Sequence, residues 1–363
     1  MSGEMQDLTT RAAVSVNNLW KVYGPSPMRI VDGPKADLPR AELERSYGNV
    51  VAMRDVSFDV GPGEVFVVMG LSGSGKSTLL RALTRLVEPT SGTVRIGETD
   101  VTKASKTELR ELRRNRVSMV FQHFGLLPHR TLIDNVAFGL EVRGVDKTGR
   151  RARAEELLTL VGLDGLGGRK PDQLSGGMQQ RVGLARALAT EPEVMLFDEP
   201  FSALDPLIRR DMQDEVIRLH NDVKTTMIFI THDLNEALRL GDRIAIMRDG
   251  RFVQVGTPEE IVGSPADDYV RDFVRDVPRS HVMTVRSIMH PVAPDHAATT
   301  GASVLGQESV LGQVSVFADA TVREAIHMVA GTETPVRVLD RAGQLVGTID
   351  RAAVLQLIAA QDR

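Results

Sequence analysis

The stretch at residues 69–78, Met-Gly-Leu-Ser-Gly-Ser-Gly-Lys-Ser-Thr, is compatible with very few folds. An apolar run, Val65-Phe66-Val67-Val68, precedes it, and a helix-forming run, Leu79-Leu80-Arg81-Ala82-Leu83, comes after it. Strand, glycine-rich loop and helix therefore succeed one another with the spacing G-x-x-x-x-G-K-S. The chemistry explains the residue types. Glycines let successive backbone N–H groups turn inward around phosphate oxygens. The N-terminus of the next helix adds the positive end of its dipole. Gly70, Leu71, Ser72, Gly73, Ser74, Gly75, Lys76, Ser77 and Thr78 are thus expected to cradle a nucleoside triphosphate. Lys76 supplies a mobile charge for the β- and γ-phosphates. The Ser77 hydroxyl is a ligand for Mg²⁺, which keeps most of its water and bridges phosphates. The loop alone says that a nucleotide binds, not what its hydrolysis drives.

Length and composition narrow the setting. A chain of 363 residues has room for two or three domains, and 42% apolar residues support a real core. Lys and Arg number 44 against 48 Asp and Glu, a net charge of −4, so no nucleic-acid partner is expected. There is no cysteine, which excludes disulfides and thiol catalysis and fits a reducing compartment. Residues 1–10 are polar and acidic, without the basic and apolar regions of a secretory signal. No apolar run approaches the roughly 18 residues of a membrane span, so any membrane role is expected to come through a partner.

Along the chain, residues 14–23 alternate enough for an edge strand. Residues 25–46 break the pattern with Pro25, Pro27, Pro34 and Pro39 among charges; they read as a surface insertion with one short helix over 37–46. Residues 47–58 resume a strand. Tyr47 at its start suits an aromatic stacked on a purine, an interaction worth about 1–3 kcal/mol. Tyr23 is a second candidate, and an ordinary structural tyrosine is the alternative for each. Residues 104–116 are helix-forming, and residues 117–121 form a short buried-type strand ending at Gln122. Polar groups just past strand ends lie where open α/β sheets bind ligands, so Gln122 is placed to touch Mg²⁺ or an attacking water. Residues 131–166 read as mostly helical. His123 and His129 lack a third metal ligand and read as surface residues.

Residues 174–181, Leu-Ser-Gly-Gly-Met-Gln-Gln-Arg, open another helix. Ser175 is a good N-cap, and Gly176 and Gly177 expose backbone donors, a second phosphate-binding helix start without a lysine. Residues 194–197 form a buried strand ending in Asp198 and Glu199. Asp198 suits Mg²⁺ through water, and Glu199 can polarise a water for in-line attack. Residues 227–231 form another buried strand, leading to His232, a third strand end delivering a polar group to one edge. Strands at 244–247 and 252–255 make a hairpin around Asp249-Gly250. From Arg279 the character changes. Residues 295–313 read as a loose connection, succeeded by a helix capped by Thr321, two strands at 335–339 and 345–349, and a last helix over about 351–360.

Taken together, the loop at 70–78, Gln122, the run 174–181, Asp198-Glu199, Ser-Ala-Leu-Asp at 202–205 and His232 resemble the ATP-binding cassette family over residues 14–275. The resemblance implies an α/β fold: a P-loop cassette with a RecA-like core, an antiparallel β subdomain and a helical subdomain over about 123–187. It also implies roles. Lys76 and Gln122 assist catalysis, Glu199 is the general base or water-positioning carboxylate, and His232 contacts the γ-phosphate. Ser77, Gln122 and Asp198 hold Mg²⁺. Gly176 and Asp205 bind the nucleotide, and Ser175 and Gly177 grip the γ-phosphate of ATP held by a second copy, so the ATPase is expected as a homodimer. Met178 stands where the family more often has Gln, and that contact is not carried over.

The resemblance narrows further. Phe-Gln-His-Phe-Gly-Leu-Leu-Pro-His at 121–129, Phe-Ser-Ala-Leu-Asp-Pro-Leu-Ile-Arg at 201–209, Met-Gln-Asp-Glu at 212–215 and Gly-Asp-Arg-Ile-Ala-Ile-Met at 241–247 are similar to ATPases of bacterial importers of glycine betaine, proline betaine or choline. The insertion and the run Pro-Ala-Asp-Asp-Tyr-Val-Arg at 265–271 also match. An importer of an amino acid such as histidine is the alternative. The partners implied are two membrane permease subunits and a periplasmic or lipid-anchored binding protein, with the ATPase on the cytoplasmic face of the inner membrane. Residues 1–278 would form the cassette and 279–363 a small α+β regulatory region. Within it, 317–360 resemble one cystathionine-β-synthase-type (CBS) module, and 282–313 a shortened remnant of another.

Overall fold

The computed structural model describes residues 12–292 and 314–359. They fall into two compact units, one ending at Val255 and the other beginning at Gly256. The expected loose connection at 295–313 and the expected polar N-terminal stretch at 1–10 lie outside the described residues.

The first unit opens with β1 (Val14–Tyr23), whose inward residues Val14, Val16, Leu19 and Val22 are buried. Two helices come next, α1 (Met28–Val31) and α2 (Arg40–Tyr47), then β2 (Val50–Val60). β3 (Val65–Met69) is buried end to end and leads through the glycine-rich loop into α3 (Lys76–Leu83). β4 (Ser91–Ile96) and β5 (Thr99–Asp100) complete an antiparallel sheet in the order β2-β1-β4-β5. β1 is therefore an inner strand rather than an edge. A left-handed Asn18 bulges it, which breaks the alternation that an inner strand would otherwise show.

Two further expectations need correcting. Tyr47 ends helix α2 and does not start a strand, because Gly48 in the left-handed region caps that helix through its N–H to Glu44. The insertion holds two helices, α1 and α2, where one short helix was expected. Its Ile30 and Leu43 bury themselves against Trp20, Val22 and Val51, giving it a small core of its own.

Helix α4 (Lys106–Asn115) starts with a reciprocal cap between Ser105 and Glu108 and leads into β6 (Val117–Val120). A helical layer comes next: α5 (Leu132–Val136), α6 (Phe138–Val142), α7 (Lys147–Leu160) and α8 (Gly176–Leu188). Buried Asn135 bonds the backbone at Leu127, Arg130 and Thr131 and so fixes the loop that enters this layer. β7 (Val194–Asp198), α9 (Pro206–Val223), β8 (Thr226–Thr231), α10 (Leu234–Leu240), β9 (Arg243–Arg248) and β10 (Arg251–Gly256) finish the element order.

The second sheet has the order β10-β9-β3-β8-β7-β6, with β9, β3, β8, β7 and β6 parallel. Parallel strands buried on both faces read as continuous apolar runs, as β3, β7 and β8 do. Register sets which strand ends are neighbours: Met69 pairs with Thr231, and Asp198 with Ile230. The loop after β3 and the polar ends of β7 and β8 therefore emerge side by side.

The second unit holds α11 (Pro258–Gly263), α12 (Asp268–Val274) and α13 (Val285–Ile288). Four strands, β11 (His290–Pro291), β12 (Ser315–Phe317), β13 (Val336–Leu339) and β14 (Leu345–Ile349), pair in the order β11-β14-β13-β12. α14 (Val322–Ala330), capped by Thr321 and Glu324, and α15 (Arg351–Ala359) enclose a core of Val285, Val316, Val322, Val338 and Ile349. α13 and β11 belong to this same sheet and core. α13 contributes Val285 to the core and β11 pairs with β14; the rest of the expected remnant at 282–313 lies largely outside the described residues.

Candidate functional site

The phosphate loop owes its shape to close backbone approaches. Gly70 has φ 156, and a Cβ there would lie 2.2 Å from the Met247 carbonyl of β9. Gly75 has φ 113, and its Cβ would lie 2.2 Å from the Ala52 carbonyl of β2. Neither position admits a side chain. Leu71, Ser72 and Gly73 form the exposed tip, whereas Ser74 and Lys76 are buried. Gly250, in the turn between β9 and β10, donates its N–H to the Ser74 carbonyl at 2.9 Å and anchors the loop from behind.

Lys76 donates to the carbonyls of Gly70 at 2.7 Å and Leu71 at 3.1 Å. Burial pushes its ammonium pKa down, opposed by the nearby Glu199 and Asp198 carboxylates. A buried cation held mainly by neutral carbonyls, 3.9 Å from Glu199, is poised for a stronger anion. The Ser77 hydroxyl donates to Asp198 Oδ1 at 3.2 Å. Burial pushes the Asp198 carboxyl up, and Ser77 and Arg81 oppose the shift. This hydroxyl and carboxylate form an all-oxygen pair of the kind that Mg²⁺ shares with phosphate, so they fit that ion.

Glu199 sits one residue past β7 with φ 46, a conformation unfavourable by about 1–2 kcal/mol for a residue with a Cβ. Its N–H bonds the Ile230 carbonyl at 3.1 Å, and Ser202 Oγ donates to its carbonyl at 3.0 Å. These bonds hold the bend that aims the carboxylate sideways. There Oε2 lies 2.9 Å from Nδ1 of His232, an exposed residue just past β8. Glu199, His232, Lys76, Ser77 and Asp198 are thus brought together in one cluster.

Other candidates lie apart from it. Gln122 comes after β6 at the same end of the sheet, but among the described residues no hydrogen bond joins it to the cluster. Ser175 caps α8 by accepting from the Met178 N–H at 3.4 Å. Gly177 is buried against α9, where a Cβ would lie 2.4 Å from Ile208. Asp205 is exposed at the start of α9. Within one chain, no hydrogen bond or ion pair joins these residues to Lys76, Asp198 or Glu199 among the described residues. Tyr47 is partly exposed with the Lys35 ammonium 3.6 Å from its ring centre, and Tyr23 has Lys21 at 4.7 Å. His123 and His129 are exposed, and the described residues contain no metal-binding cluster of His, Cys, Asp or Glu.

One residue escapes sequence reading. Glu236 is buried behind the turn carrying His232, and the Thr231 hydroxyl donates to it. Thr231 Oγ in turn accepts the Asp233 N–H at 3.0 Å. Asp233 also caps α10 and meets Arg209 at 3.2 Å. The spacing of Asp233 and Glu236 on a helix start is the only trace of this in the sequence. Burial pushes the Glu236 carboxyl up from 4.5 to about 7.

A raised carboxyl pKa means that the folded state holds the proton more tightly. The stability this gives is complete below about pH 4.5 and is lost as pH rises through about 7. Ionising the buried group costs on the order of 3 kcal/mol by pH 8. Glu236→Gln is expected to cancel that loss. Urea unfolding tracked by the fluorescence of Trp20, the single tryptophan, should show the variant gaining on the parent between pH 5 and pH 8. A difference that stays flat over that range would contradict the shift.

Comparison with known proteins shows what the chain is similar to. The family described as ABC transporter matches residues 53–202. The chain is 53% identical over 276 residues to the glycine betaine transport ATP-binding protein OpuAA of Bacillus subtilis, covering 76% of this chain and 66% of that one. It is 45% identical to the trimethylamine N-oxide transport system ATP-binding protein TmoW of Ruegeria pomeroyi, covering 95% of this chain and 96% of that one. Among solved structures, the dimeric post-hydrolysis state of the ATP-binding cassette MJ0796 bound to ADP and Pi superposes with a TM-score of 0.57 at 32% identity, over 68% of this chain and 98% of that one.

Proposed function

The chain belongs to the ATP-binding cassette family of transporter ATPases, and from that premise we propose that it hydrolyses ATP to drive a bacterial importer of quaternary amines. The observation that carries this reading is the row of strand ends bearing the phosphate loop, Ser77–Asp198 and Glu199–His232.

In this reading the inward N–H groups of residues 70–78 and the Lys76 ammonium hold the β- and γ-phosphates. Ser77 and Asp198, together with Gln122, would hold Mg²⁺, which would offset phosphate charge when bound. Glu199 orients the attacking water and accepts its proton, while His232, tied to Glu199, faces the γ-phosphate. Tyr47 or Tyr23 stacks on the adenine. Gly176 and Asp205 also bind the nucleotide, and Ser175 and Gly177 grip the γ-phosphate of ATP held by a second copy, so that a twofold head-to-tail dimer would complete two sites.

The permease pair would dock on the segment 122–163. An apolar groove lined by Leu86, Phe121, Phe138 and Val142 supports that choice, since three of those four side chains are exposed. No described helix is long and apolar enough to cross a membrane. In this reading the permease holds the chain at the inner membrane's cytoplasmic face. A periplasmic or lipid-anchored protein would deliver the substrate. The second unit would act as a CBS-like regulatory region.

The substrate is a betaine or choline, in line with the Bacillus relative. Trimethylamine N-oxide is a second reading, favoured because the Ruegeria relative matches this chain almost end to end. An amino-acid cargo is not favoured, since these relatives are named for trimethylammonium and amine-oxide compounds. The test is uptake of labelled glycine betaine, choline, trimethylamine N-oxide and histidine by a host lacking its own importers, given this chain with its cognate permease and binding protein. Uptake of a methylated amine is expected, and uptake of histidine alone would overturn the substrate reading.

A further inference from the structure

Residues 25–46 fold back onto the phosphate loop. The two ends of the segment are pinned together: buried Asn49 donates from Nδ2 to the Pro25 carbonyl at 2.9 Å, and a Cβ on Gly24 would lie 2.4 Å from the Gly48 carbonyl. Leu43 and Ile30 fasten the segment to β1 and β2 from within. From this base, two side chains reach out. Asp37 pairs with Arg251 on the hairpin whose turn anchors Ser74. Half-buried Arg40, at the start of α2, donates from Nη1 to the Gly73 carbonyl at 2.6 Å. Insertion, phosphate loop and hairpin therefore form a closed ring of contacts.

The Gly73 contact falls where the loop is least constrained. Gly73 has φ 80 and is exposed, and a Cβ there would meet nothing within 4 Å. Its carbonyl belongs to the same planar peptide as the Ser74 N–H, which closes the turn by bonding the Leu71 carbonyl at 3.1 Å. Holding the carbonyl in place keeps that N–H in its turn with Leu71. A guanidinium is suited to the task, being always charged and rigidly forked.

We propose that residues 25–46 are a working part of the nucleotide site, in which Arg40 is a positioning residue that holds the Gly73–Ser74 peptide, and with it the turn at the tip of the phosphate loop, in place. This rests on the reading of residues 70–78 as an ATP site. Arg40 acts on the loop and not on the reacting atoms, so its loss weakens ATP binding and leaves the chemical step intact.

The test is ATP hydrolysis and ATP binding by the full chain as parent, Arg40→Ala, Arg40→Lys, Arg45→Ala and Lys76→Ala. Arg45 is exposed on the same helix, and among the described residues no hydrogen bond joins it to the phosphate loop, so its variant removes the same charge without the contact. Arg40→Ala is expected to raise KM and Kd for ATP about fivefold, the scale of one net hydrogen bond, with kcat within about twofold. Arg40→Lys should recover part of the loss, and Arg45→Ala should match the parent. Unchanged affinity in Arg40→Ala, or an equal loss in Arg45→Ala, would overturn the positioning role while Lys76→Ala still fails to bind. Undiminished ATP affinity in Lys76→Ala would instead overturn the underlying site. If Arg40→Ala does not fold, Arg40→Lys against the parent carries the same comparison.

Discussion

Glu199→Gln is expected to bind ATP as the parent does and to hydrolyse it about 10²–10³ times more slowly, a loss of roughly 3–4 kcal/mol of transition-state stabilisation. The substitution is nearly isosteric, so the bend at φ 46, the Ile230 contact and the bond from Ser202 should all persist. A Gln oxygen can still accept from His232 Nδ1, so the geometry of the pair survives while the basic group is lost. Single-turnover hydrolysis measured beside equilibrium ATP binding separates the two effects. A near-parent rate would remove Glu199 from the chemistry and leave it a structural partner of His232. A parallel loss of ATP affinity would mean that the carboxylate matters chiefly through the Lys76 ammonium 3.9 Å away.

Lys76→Ala should act at the other end of the same site, on binding. The ammonium is nearly enclosed, and its hydrogen-bond acceptors among the described residues are the carbonyls of Gly70 and Leu71. A bond to a charged phosphate group is worth about 1.5–3 kcal/mol net. Its removal is therefore expected to weaken ATP binding about 10- to 100-fold. Some stability is also lost, because the Gly70 carbonyl loses its donor, whereas the Leu71 carbonyl keeps the Ser74 N–H. Trp20 fluorescence and circular dichroism should nevertheless report a folded first unit, because Lys76 lies outside the apolar cluster that surrounds α3. ATP affinity within about twofold of the parent would refute the assignment of this lysine to phosphate.

The site was legible in the sequence wherever local pattern and chemistry coincide. Strand, glycine loop and helix around Lys76 share one stretch, and the apolar runs before Asp198-Glu199 and His232 announce buried parallel strands with polar ends. What the sequence does not carry is which strands are neighbours. β1 reads as an edge because its residues alternate, yet β2 and β4 flank it on both sides. Tyr47 reads as strand because apolar residues come soon after it, while the left-handed Gly48 makes it the last residue of a helix. Ile30 and Leu43 are too sparse among prolines and charges to signal a core, and their burial depends on Trp20 and Val51 from other elements. The contacts of Arg40 with Gly73 and of Glu236 with Thr231 likewise arise from the fold.

The most direct measurement is uptake of labelled glycine betaine after an osmotic upshift. The host would lack its other betaine importers and carry the cognate permease and binding protein with either this chain or its Lys76→Ala variant. Uptake with the intact chain and none with the variant is the predicted result, and it would tie the cargo to the nucleotide site in one experiment. Equal uptake with both would contradict ATP-driven import through this site.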